Sequence, residues 1–77
     1  MSKKSEEMIE GIKKYFNENG TNRMQFTFNS HDNMEKKKEL EALEYLEEKG
    51  YIEITSKAIG FYGIKLTTYF IDNIDNL

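Results

Sequence analysis

The stretch Leu40-Glu41-Ala42-Leu43-Glu44-Tyr45-Leu46-Glu47-Glu48-Lys49-Gly50-Tyr51-Ile52-Glu53-Ile54-Thr55 changes its apolar period at a single glycine. Before Gly50, Leu40, Leu43 and Leu46 recur at helical spacing, because residues three and four apart are neighbours on a helix surface. After it, Tyr51 to Thr55 alternates, and so does Phe61-Tyr62-Gly63-Ile64-Lys65-Leu66-Thr67, as strands with one buried face do. Gly50 stands where a helix end needs a positive φ angle. Lys57-Ala58-Ile59-Gly60 lies at the turn between the two alternating segments. A helix, a tight exit and a hairpin are therefore expected over residues 33–67.

Upstream, a first helix is expected over residues 3–19. Ser2 or Ser5 would cap it, Glu6 and Glu7 suit its positive end, and Asn19-Gly20 would stop it. Met8, Ile9, Ile12, Tyr15 and Phe16 form its apolar stripe, with Lys13 and Lys14 pointing outward. Met24, Phe26 and Phe28 alternate with polar residues, which reads as a short strand and as core. Asp32 with Glu35 three residues later makes a capping-box pattern for the helix over 33–49. Its inner face is Leu40, Leu43 and Leu46. The glutamates of 39–48 read as a solubilising outer surface with local lysine pairs such as Glu35 with Lys38. In the hairpin, parity turns Ile52, Ile54, Tyr62, Ile64 and Leu66 inward and Glu53, Thr55, Lys57, Phe61 and Lys65 outward. Thr67 or Thr68 would cap a last short helix from Tyr69 to about Asp75, with Phe70, Ile71, Ile74 and Leu77 on its apolar side.

Seventy-seven residues without cysteine form one small domain that must be held by packing, and a dimer would bury more apolar surface. The net charge of −3 argues against a generic polyanion binder. Residues 1–38 nevertheless carry eight basic and six acidic side chains, and residues 39–77 three and eight, so a nucleic-acid footprint would be local. The start of the chain is charged rather than apolar, and no run is long enough to cross a bilayer, so a cytoplasmic protein without a membrane partner is expected. His31 beside Asp32 has no further ligand spaced to join it, Ser30-His31-Asp32 is no hydrolase triad, and no glycine-rich phosphate loop is present. Neither an enzyme nor a metal or cofactor is expected.

Leu40-x-x-Leu43-x-x-Leu46-x-x-x-Gly50-Tyr51-Ile52, then Ile54-Thr55, then Gly63-Ile64-Lys65-Leu66-Thr67 resembles the winged helix-turn-helix superfamily. It looks most like the small winged-helix proteins of plasmids, phages and conjugative elements of AT-rich Gram-positive bacteria. The resemblance implies an α+β winged-helix domain over 1–77, ordered helix-strand-helix-strand-strand-helix. It further implies a recognition helix over 33–49, a hairpin wing, and a repressor or transfer-accessory role. A full helix-turn-helix has a separate helix before the recognition helix, and Phe28 to Asp32 leaves no room for it, so that helix is lost or fused.

Two functions follow as expectations. The first is sequence-specific binding of double-stranded DNA by a homodimer, led by the wing. Thr55, Lys57, Phe61 and Lys65 would line its outer face, with Ala58, Ile59 and Gly60 at the tip. Lys13 and Lys14 on the first helix would support it, as would His31, Asn33, Lys36, Lys37 and Lys38 near the second helix start. Lys36 to Lys38 read equally well as a solvated helix start, Phe61 equally as part of a dimer core, and Ile59 somewhat better as part of that core than as a wedge. The second is docking of a basic protein partner on the acidic face of helix 33–49, through Glu41, Glu44 and Glu48.

Overall fold

The computed structural model describes residues 2–28 and 32–76. The first helix, α1 (Lys3–Asn19), begins at Ser2, whose side chain accepts from the Ser5 N–H at 3.1 Å. It ends at Gly20 in the left-handed region with φ 67°. Ser5, the other capping candidate, is buried instead. A short strand, β1 (Arg23–Thr27), leads toward the second helix, α2 (Asn33–Glu48), capped by Asp32 accepting from the Met34 N–H at 2.8 Å. Five residues separate β1 from α2, too few for a further capped helix. His31 and Ser30, named above as candidates, lie outside the described residues.

The exit from α2 follows the glycine logic closely. Gly50 has φ 80°, its N–H reaches the Glu47 carbonyl, and the Tyr51 N–H reaches the Leu46 carbonyl, each at 3.0 Å. These two bonds satisfy carbonyls that the helix end would leave open. The chain then forms β2 (Ile52–Lys57) and β3 (Phe61–Leu66), followed by a short helix α3 (Thr68–Asp72) and a 3-10 turn (Ile74–Asn76). The break at Asn73 shortens the expected last helix. Its side-chain amide folds back to the Tyr69 carbonyl at 2.9 Å and stops the helix there. Thr67 joins three elements: its hydroxyl lies 2.5 Å from the Gly50 carbonyl, 3.1 Å from that of Tyr51, and accepts from the Phe70 N–H.

The three strands form one antiparallel sheet in the order β1-β3-β2. The molecule is thus α+β, with three α-helices and a three-stranded antiparallel sheet among the described residues. Ile9 and Ile12 of α1, Leu43 and Leu46 of α2, Met24, Ile52, Ile64 and Leu66 of the sheet, and Phe70 of α3 share one buried cluster. Met24, Phe26 and Phe28 contribute to this core, and Phe26 and Phe28 stack against Tyr62 at centroid distances of 5.8 and 5.3 Å. No described helix is long and apolar enough to cross a membrane.

Two side chains depart from the sequence expectation. Glu39 is 2 % exposed, not part of the solvated surface. The buried row of α2 is Glu39, Ala42, Leu43 and Leu46, spaced i, i+3, i+4 and i+7, so Leu40 falls at its margin. The second departure is Lys57. The β2–β3 register runs Ile54 opposite Ile64 and then Ser56 opposite Gly63, leaving Thr55 as an extra residue. Such a bulge shifts the alternation by one position. Lys57 therefore lies opposite Tyr62, and opposed residues project from the same face of a sheet. It points to the helix side, not outward with Lys65.

Candidate interaction surface

The exposed row of α2 is Met34, Lys37, Glu41, Glu44 and Glu48, a stripe at steps of three and four residues. After Met34 it carries one base and then three acids. Strand β2 borders this row, and two side-chain bonds hold it there. Glu47 Oε2 accepts from the Ile54 N–H at 2.8 Å, and Lys57 Nζ lies 3.6 Å from Glu44 Oε1. The Glu47 bond also occupies a donor on the free edge of β2, where an open ladder would invite another strand. The hairpin extends beyond this junction. The Ala58 N–H donates to the Phe61 carbonyl at 2.9 Å and closes the turn, and the Phe28 N–H donates to the Gly60 carbonyl. Ile59 stands at the tip with 90 % of its surface exposed.

The sheet face turned away from the helices has a different character. Arg23, Gln25 and Thr27 of β1 lie opposite Lys65, Gly63 and Phe61 of β3, and Glu53 of β2 lies on the other side of Lys65. Lys65 is thus placed between one base and one acid. Phe61 is 37 % exposed and keeps its expected outward position. Thr55 and Ser56 also project onto this face, because a Cβ on Gly63 would come within 2.9 Å of Thr55 Oγ1 and 2.6 Å of Ser56 Oγ. Gly63 is the residue that makes room for the bulge.

The candidate DNA-contact residues therefore do not form one surface. Thr55, Phe61 and Lys65 share the outer sheet face, while Lys57 is turned to α2 and ion-paired. Lys13 is half-buried beside Glu10, at 3.7 Å, and Lys14 is exposed on α1. Lys36 is half-buried and Lys37 exposed at the start of α2. Lys38 pairs with Glu35 at 3.4 Å, as expected. Among the described residues, no group of three or more His, Cys, Asp or Glu side chains is placed to hold a metal ion.

Sequence reasoning overlooked Glu39, Arg23 and Glu47. Glu39 could have been found from its spacing to Ala42, Leu43 and Leu46, and Arg23 from its parity with Gln25 and Thr27. A glycine inside an alternating run, as at Gly63, is the local signal of a bulge. The Glu47 bond to Ile54 had no sequence signal. No family model, curated protein or solved structure matches this chain.

Proposed function

We propose that the chain is a winged-helix-like module that docks a basic protein surface, using the exposed row of α2 together with the apolar tip of the hairpin. The element order and the β1-β3-β2 sheet support the winged-helix reading, with α2 in the recognition-helix position and β2–β3 as the wing. The observation that carries the docking reading is the pairing of Lys57 with Glu44. It turns the one base of β2 away from the outer face and engages it with an acid. Glu41 and Glu48 keep the row acidic, beside Glu44 paired with Lys57 and Glu47 accepting from the Ile54 N–H. A surface of that sign repels phosphates and attracts Lys- and Arg-rich partners. Ile59, exposed at the hairpin tip, supplies an apolar anchor of the kind that interface cores use.

A labelled Lys/Arg-rich peptide titrated with the protein tests this reading. Saturable binding that weakens with salt and is lost in the Glu41→Lys, Glu44→Lys, Glu48→Lys triple variant is the expected result. Binding unaffected by the triple variant would remove α2 from the reading. One observation favours the second function, DNA binding by a homodimer: Arg23 lies directly opposite Lys65 on the outer sheet face. In that case the two bases, with Phe61 and Ile59, would lead contact, and Lys57 would not.

A further inference from the structure

One edge of the sheet is closed and the other is open. On β2, Glu47 occupies the Ile54 N–H at 2.8 Å, and the bulge at Thr55 breaks the ladder beyond it. Devices of this kind keep other strands off an edge. On β1 the pairing with β3 is regular from Arg23 to Thr27, and the strand holds neither proline nor glycine. The Leu66 N–H donates to the Asn22 carbonyl at 2.7 Å, and the Phe28 N–H to the Gly60 carbonyl at 3.3 Å. Hydrogen-bonded pairs alternate along an antiparallel ladder. The even positions of β1 therefore bond to β3, and Arg23, Gln25 and Thr27 turn their backbone groups to the open side. At Arg23 the Thr21 hydroxyl meets both groups, accepting from the N–H at 3.2 Å and donating to the carbonyl at 3.3 Å. Among the described residues, nothing meets the N–H and C=O groups of Gln25 and Thr27. A cavity between α1, α2 and the sheet opens beside them, with Glu7, Gly11 and Thr27 in its wall, so α1 stands clear of this end of the strand.

We propose that this edge pairs with the same edge of a second copy of the chain, the two β1 strands running antiparallel about a two-fold axis at Phe26. The occupant follows from the symmetry of what is free. Gln25 and Thr27 flank Phe26, so the axis sets Gln25 against Thr27 of the second copy. Each N–H then meets the carbonyl opposite, which uses every open group and leaves the contact between Thr21 and Arg23 undisturbed. Phe26 faces its own counterpart at a position without backbone bonds, where side chains come closest, at about 4.5 Å between Cα atoms. It is half-buried, with Tyr15 and Tyr62 at centroid distances of 5.6 and 5.8 Å, so pairing covers apolar surface that one copy leaves open. Charge agrees with this arrangement. Arg23 is exposed at one end of the strand, and Glu7 lies beside Thr27 at the other. Antiparallel pairing brings Arg23 of each copy toward the Glu7 end of the other, whereas a parallel strand would set Arg23 beside Arg23. The inference is independent of the docking reading, because the acidic row of α2 borders β2 at the opposite edge.

The test is sedimentation equilibrium of the full chain from micromolar to millimolar concentration, with amide hydrogen exchange measured at both ends of that range. A reversible dimer is expected, in which the Gln25 and Thr27 amides exchange more slowly as concentration rises. Both side chains are exposed, so a Gln25→Lys, Thr27→Lys variant and a Gln25→Glu, Thr27→Glu variant should fold, which their melting temperatures check. Each variant sets like charges opposite each other on both sides of the axis and should dimerise about tenfold more weakly than the parent. An equimolar mixture of the two should recover the lost affinity. A monomer throughout the range, which would leave the edge to a strand of another protein, would overturn the proposal. So would a dimer whose Gln25 and Thr27 amides exchange at a rate independent of concentration, or a mixture that associates no more tightly than either variant alone.

Discussion

Replacing Gly63 by alanine tests the bulge that reorients Lys57. An alanine Cβ at this position would lie 2.6 Å from Ser56 Oγ and 2.9 Å from Thr55 Oγ1, both well inside the 3.4 Å at which ordinary contact begins. Overpacking of this kind costs about 1–3 kcal/mol. The offending atoms are hydroxyls that can rotate, which places the expected loss in the lower half, about 1–2 kcal/mol. For a domain of this size that corresponds to a fall in melting temperature of roughly 5–15 °C. The same substitution in a Thr55→Ala, Ser56→Ala background meets neither oxygen, and the Ser56 Cβ at 3.8 Å is ordinary contact. There the cost should fall below about 0.5 kcal/mol, or turn into a gain, since alanine loses less entropy than glycine on folding. Thermal and urea unfolding of the four proteins gives the coupling directly. Equal losses in both backgrounds would refute the reasoning, because Thr55 and Ser56 would then not be packed over Gly63. Lys57 could in that case return to the outer face.

Gly11→Ala should stabilise the protein by about 1 kcal/mol, visible as a higher urea midpoint at unchanged slope, because α1 gains helix propensity at a site with open space. Thr67→Val should cost about 1–2 kcal/mol in the same assay, since it removes the α3 cap together with the tie to Gly50 and Tyr51. Leu43→Ala, at a fully buried core position, should cost about 2–5 kcal/mol and leave the chain largely unfolded at moderate temperature. Tyr62 is protonated in the fold up to about pH 12, against 10.0 for its ordinary value. Its raised pKa therefore adds stability that is complete below pH 10.0 and is lost as pH climbs toward 12. Tyrosinate absorbance should show a late step that Tyr62→Phe removes.

Much of the architecture was legible because local signals agreed with one another. Ser2 and Gly20 bracket α1, Asp32 and Gly50 bracket α2, and the alternation of Ile52, Ile54, Ile64 and Leu66 places one sheet face inward. Where they conflicted, the reading failed. The inner row of α2 was drawn through its leucines, yet the row contains a carboxylate, and a charged residue at a core position is the one letter that binary patterning sends to the surface. The segment Thr55-Ser56-Lys57 is polar throughout, so no apolar residue within it pins the register, and only Gly63 on the facing strand marks the slip. That single extra residue separates Lys57 from Lys65 and with them the expected wing surface. The cavity between α1 and α2 depends on three elements meeting, so periodicity along any one of them does not reveal it.

The central claim is that the junction of α2 and the hairpin meets a basic protein and not a polyanion. Retention of random genomic duplex fragments by the immobilised protein, across a salt series and with sequencing of what is held, tests it most directly. The account predicts no retention even at low salt. Recovery of one short motif, lost when Arg23 and Lys65 are changed to alanine but not when Lys57 is, would contradict it and establish DNA as the partner.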